Sequence, residues 1–122
     1  IVSLGSGVDY ISKVGIDEIE HRLNYLTNDL YDKLSSLNNL TVYKSGNGLV
    51  SFNINGMSSS LLASMLDRDG ICVRGGLHCA PSIHTLLGTI EQGAVRASFS
   101  FLNTKSDSEK LYKALRDILF II

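Results

Sequence analysis

The sequence predicts an α+β fold, a two-layer sandwich in which a small, mainly antiparallel sheet packs against helices. Two long stretches carry apolar residues at three- and four-residue steps, the pattern of amphipathic helices. Between them lie short β-rich runs separated by turns containing Gly and Asn. With 122 residues, 44% of them hydrophobic, the chain has the length of one domain and enough apolar material for a core.

The elements follow in order. Ile1 to Val14 carries Gly5 and Gly7, each costing roughly 1 kcal/mol in a helix against Ala, so it reads as a weak helix. Gly15 breaks the pattern. From Ile16 to about Ser36, the residues Ile19, Leu23, Leu26, Leu30, Leu34 and Leu37 share one helical face. Asp17, Glu18 and Glu20 stand in its first turns, where the helix dipole favours negative charge, and His21 reads as solvated. Leu40 to Tyr43 and Leu49 to Ile54 are strands around a turn at 45–48. Gly46 to Gly48 is no phosphate cradle, because a strand rather than a helix follows it.

Ser58 or Ser59 can cap a helix over residues 60–68 with Leu61, Leu62, Met65 and Leu66 inward. Ile71 to Val73 is expected as a strand, with Cys72 in the core. Ser82 to Leu87 can form a short helix capped by Gly88. In the strand Ala94 to Phe99, alternation puts Val95, Ala97 and Phe99 on one face and Arg96 and Ser98 on the other. Ser106 and Glu109 have capping-box spacing for the last helix, whose Leu111, Leu115, Ile118 and Leu119 point inward.

Composition excludes several classes. Net charge is −1 with no basic patch, which argues against nucleic acid. No apolar run reaches the roughly 20 residues that span a bilayer. Two cysteines make no disulfide framework, so a reducing cytoplasm is expected.

Chemistry concentrates in Arg74-Gly-Gly-Leu-His-Cys-Ala-Pro81. Two glycines and the only proline mark a loop. A cation and an imidazole beside a loop thiol favour the thiolate, the nucleophilic form, although a cysteine also serves as a small buried hydrophobe. A metal site from His78, Cys79 and His84 is set aside, because adjacent ligands reach one ion poorly and no C-x-x-C pair exists. Arg96 faces solvent on a half-exposed sheet or, buried, needs a partner or ligand.

Arg74-x-Gly76-x-His78-Cys79-Ala80 resembles the R-x-G-x-H-C-A loop of the SufS-type (group II) cysteine desulfurases and selenocysteine lyases, class V, fold-type I enzymes that use pyridoxal phosphate. Gly93-Ala-Val-Arg96-Ala-Ser98 and Asn103-Thr104 resemble the same family's G-x-x-R-x-S and N-T segments, in the same order. The resemblance implies the small C-terminal domain of such an enzyme. Residues 1–14 would be an interdomain helix from a large preceding domain, and 15–122 the small domain. It implies Cys79 as the catalytic nucleophile that becomes a persulfide as L-cysteine becomes alanine, and Arg96 as the clamp on the substrate carboxylate. Arg74, His78 and Asn103 would support the loop. Leu77 replaces a second His of several relatives. The Schiff-base lysine would lie in the large domain, so the chain would hold half an active site and no activity alone. A homodimer and a sulfur-acceptor protein are the further partners implied. A class V aminotransferase acting on another amino acid, or a non-catalytic sulfur-carrier module, are the alternatives.

Overall fold

The computed structural model describes every residue except Ser45, together with the backbone but not the side chain of Lys44, so part of the expected 45–48 turn lies outside the described residues. Its elements are α1 (Val2–Val14), α2 (Ile16–Ser35), β1 (Leu40–Lys44), β2 (Leu49–Ile54), α3 (Ser59–Arg68), α4 (Pro81–Leu87), β3 (Val95–Ser98) and α5 (Lys105–Ile121). The strands form one antiparallel sheet in the order β1-β2-β3. The α+β class is as expected.

Alternation divides the sheet. Val50, Phe52 and Ile54 of β2 and Val95 and Ala97 of β3 join the buried cluster. Leu30 and Leu34 of α2, Leu62 and Leu66 of α3, and Leu111, Leu115 and Ile118 of α5 meet them there. Three helices therefore cover one face. The register aligns Tyr43 with Ser51, and Ser51 with Arg96, in a row on the opposite face.

Four local expectations are corrected. Residues 71–73 form no strand: pairing with β3 is confined to the Arg74–Arg96 bridge. Beyond the bridge the segment leaves β3, and a cavity of about 240 Å³ lined by Ile71, Cys72, Val73, Ala97 and Phe99 opens between them. Cys72 is consequently exposed rather than core. The capping box of α5 is Thr104 with Asp107, two residues before the expected Ser106 and Glu109, because the Asp107 carboxylate accepts the Thr104 N–H at 2.8 Å. Leu61 is exposed, since the inward face of α3 runs through Leu62 and Leu66.

Asp29 ties α2 to α5. Its carboxylate accepts hydrogen bonds from Lys33 and Ser108, both at 2.7 Å, and Lys33 also pairs with Glu109. Burial alone would raise the Asp29 carboxyl, but the bonds from Lys33 and Ser108 and the nearby Lys105 charge hold it below the ordinary carboxylate range. Burial likewise opposes charge on Lys33, and its bonds to Asp29 and Glu109 overcome it and raise the amine. Because the folded value of Asp29 is depressed, its contribution is complete above the unfolded carboxylate value of about 3.9 and is lost as pH falls through the folded value. Asp29→Asn should cost about 1–3 kcal/mol at pH 7 and much less at pH 2. Urea unfolding at the two pH values measures this, and equal losses at both would refute the charge account.

Candidate active site

The site is built on the sheet face away from the helical core. Arg96 reaches it because β3 alternates: Val95 and Ala97 are buried beneath while Arg96 points the other way. Its backbone is fixed on one side by the Arg74 bridge, with N–H to O distances of 2.8 and 3.1 Å, and on the other by the ladder to Ser51. A groove of about 250 Å³ lies over this row. Its floor includes Tyr43, Ser51 and Arg96, and its wall comes from His78, Ile83, His84 and Leu87. Among the described side chains, Arg96 is the only charged one that lines it. Its Nε is buried without a hydrogen-bond partner, which leaves donor capacity for an anion.

The loop folds as its glycines require. Gly76 has φ 115°. A Cβ at Gly75 would come within 2.5 Å of the Ser59 carbonyl oxygen, and one at Gly93 (φ 69°) within 2.5 Å of Ser59 Oγ. The Ser59 hydroxyl donates to Gln92 O at 2.7 Å and accepts from Gly76 N–H at 3.1 Å. Gly93 N–H donates to Thr89 O, and Ala94 N–H to Gly76 O. At the tip, His78 and Cys79 both take left-handed φ, 53° and 57°. That conformation costs roughly 1–2 kcal/mol per non-glycine residue. The Ala80 N–H to Leu77 O bond at 2.9 Å and the His78 Nε2 bond to Ala94 O at 2.8 Å oppose that cost.

Cys79 is exposed, between His78 and Ala80, both of which line the groove. Arg74 is also exposed and acts on this site through its backbone bridge. Asn103 is elsewhere. Its Oδ1 accepts the Ser100 N–H, its Nδ2 donates to Asp107, and it lines the Cys72 cavity. Burial does not separate the two thiols, since both are exposed. Sequence reasoning passed over Tyr43 and Ser51, whose place on the groove face depends on strand register. It also passed over Ser59 as a loop anchor. Ser58 is the actual cap of α3, accepting Leu61 N–H, and the pair of hydroxyls at that helix start was the available signal.

Pyridoxal phosphate condenses with a lysine amine, and among the described side chains no lysine lines the groove. Lys33, Lys105 and Lys113 pair with Asp29 or Glu109, Lys110 lines the Cys72 cavity, and Lys13 ends the exposed α1. The groove does not hold that cofactor by itself. Among the described residues no helix is long and apolar enough to cross a membrane.

A fold with this sheet and this loop has close counterparts. The family model for class-V aminotransferases matches residues 1–111, and the chain belongs to that family. It is 40% identical over 116 residues to the probable cysteine desulfurase of Halalkalibacterium halodurans and 35% identical over 121 residues to that of Synechocystis. The match takes in 93% and 94% of this chain but 28% of each relative, so the chain spans less than a third of their length. Among solved structures, the apo cysteine desulfurase of Thermococcus onnurineus superposes with a TM-score of 0.90 at 30% identity, over 98% of this chain and 30% of that one. A cysteine desulfurase of Escherichia coli gives 0.84 at 27%, over 93% and 28%.

The contact at Ser59 yields a test. Gly93→Ala places a Cβ against Ser59 Oγ and Gly76 O in a left-handed backbone, and should destabilise by about 1–3 kcal/mol. Denaturant midpoints read the change, and an unaltered midpoint would show that the junction yields without strain.

Proposed function

We propose that this chain is the C-terminal small domain of a pyridoxal phosphate-dependent cysteine desulfurase, and that Cys79 and Arg96 are its two working side chains. The observation that carries the reading is an exposed thiol flanked by two residues that line a groove, in which the one charged lining side chain among those described is an arginine with a free buried donor. Arg96 binds the substrate α-carboxylate, for which a planar guanidinium offers two parallel donors. The carboxylate fixes the amino acid in the groove with its thiol toward the rim.

The Cys79 thiolate then attacks the substrate sulfur. The new S–S bond leaves Cys79 as a persulfide. The substrate C–S bond breaks with its electron pair passing to carbon, and that carbon takes one proton to give alanine. Pyridoxal phosphate, when bound in the large domain of the same protein, supplies the electron sink for this cleavage. Residues 1–14 lead in from that domain. In this reading the full-length protein works as a homodimer in the cytoplasm and hands its sulfur to an acceptor protein.

The two residues separate experimentally in the full-length protein. Cys79→Ser should abolish persulfide formation yet leave L-cysteine binding unchanged, because the nucleophile acts after binding. Arg96→Ala should weaken binding. A charge-assisted bond contributes about 1.5–3 kcal/mol, and about 1.4 kcal/mol is tenfold, so saturation should need roughly ten- to a hundredfold more cysteine. Spectroscopic titration with L-cysteine and a persulfide assay distinguish the two. Normal turnover by Cys79→Ser would exclude this chemistry, and an unaltered Arg96→Ala titration would remove Arg96 from the substrate site.

A further inference from the structure

We propose that His84 is the proton-transfer residue of the Arg96 groove, returning a proton to the substrate carbon that loses its sulfur. This rests on the function proposed above and adds a residue to it. His84 is 4% exposed, stands in the short α4, and is absent from the apolar core cluster. It lines the groove with His78, Tyr43 and Arg96, the other titratable or charged residues there, and no carboxylate lines it. The two imidazole rings lie 6.2 Å apart between centroids.

Their hydrogen bonds assign them different work. His78 Nε2 meets the Ala94 carbonyl, which can only accept. That nitrogen therefore always carries its proton, and the other, Nδ1, is buried without a partner. His78 is fixed as a donor that holds the loop. His84 Nδ1 instead meets the hydroxyl of the buried Thr89 at 2.8 Å. A hydroxyl donates to a bare nitrogen and accepts from a protonated one, so this bond survives in either neutral tautomer and in the imidazolium. Among the described residues Nε2 of His84 makes no hydrogen bond, which leaves it for the occupant of the groove that His84 lines. A buried imidazole whose partner tolerates every protonation state can gain and lose protons without breaking its own support.

The proton balance closes within the sulfur transfer. Cys79 loses its thiol proton on becoming the nucleophile, and the substrate carbon needs one proton after the C–S bond breaks. Cys79 releases the first to water, and His84, protonated from water at Nε2, delivers the second to the carbon. One proton is lost and one gained, no oxidant enters, and the products are the persulfide and alanine.

The test uses the full-length protein, with persulfide and alanine measured separately. In the parent the two should form one for one in a single turnover, and if neither forms, the proposed function itself falls. In His84→Ala, alanine formation should fall about a hundredfold or more, the scale of a lost general acid. The Cys79 persulfide should still accumulate in the first turnover, and L-alanine should bind within about threefold of the parent by spectroscopic titration. Added imidazole should restore alanine formation several-fold, which a purely structural loss would not allow. If His84→Ala does not fold, Thr89→Val keeps the ring and removes only its support. It should slow alanine formation about three- to tenfold, with persulfide formation intact. Alanine formation within threefold of the parent in a folded His84→Ala, persulfide lost in step with alanine in either variant, or a Thr89→Val without effect would each overturn the assignment to His84.

Discussion

The site depends on one buried hydroxyl. Ser59, 2% exposed, sits where the start of α3, the loop after Arg74 and the segment before β3 converge. Its Oγ donates to Gln92 and accepts from Gly76, while its carbonyl and hydroxyl exclude side chains at Gly75 and Gly93. Gln92 extends the junction by donating through Nε2 to Ile54 O and Met57 O, and Asn53 donates to Gly93 O at 2.8 Å. The end of β2, the start of α3 and the segment entering β3 are thereby held in one register. A shift of any of them would move Arg96 relative to the loop that carries the thiol.

Holding the site costs stability, and the core supplies it. Two consecutive left-handed residues and a half-buried guanidinium with an unpartnered Nε are each unfavourable. On the other side of the same strands, Phe52, Ile54, Val50 and Val95 have no exposed surface. Full burial of such side chains contributes roughly 1.5–3 kcal/mol each. The division of labour follows from strand geometry alone: successive residues of β3 alternate between core and groove, so one four-residue strand serves both.

Features set by local pattern were legible in the sequence. The helical face of Leu26, Leu30 and Leu34, the alternation around Arg96 and the left-handed Gly88 cap all follow from spacing within one element. Features set by pairing between elements were not. The apolar run Ile71 to Val73 satisfies every local criterion for a strand, but the backbone diverges from β3 past the Arg74 bridge, leaving Cys72 in the open. Likewise Thr104 and Ser106 are both plausible caps by composition, and only the return of the Asp107 carboxylate to the Thr104 N–H decides between them. Tyr43 and Ser51 enter the groove because β1, β2 and β3 pair in one register, and a shift of one residue would put both in the core. The notable glycines were visible as loop formers, whereas the reason for Gly75 and Gly93, the proximity of Ser59, is a contact between residues far apart in the chain.

The loop tip separates structure from chemistry. Its shape is held by Ser59, by the bond from His78 to Ala94, and by backbone pairs among Leu77, Ala80, Gly76 and Ala94. Neither Leu77 nor Cys79 contributes a side chain to these bonds, and both are exposed. Position 77 is therefore free to vary without altering the path of the loop, consistent with an aliphatic residue there. The same reasoning gives position 79 no packing role, yet a non-glycine residue stands there in a left-handed conformation that glycine would adopt without strain. Nothing in the fold requires a side chain there. The fold therefore leaves the Cys79 thiol exposed between two residues that line the Arg96 groove, the arrangement on which the proposed sulfur transfer rests.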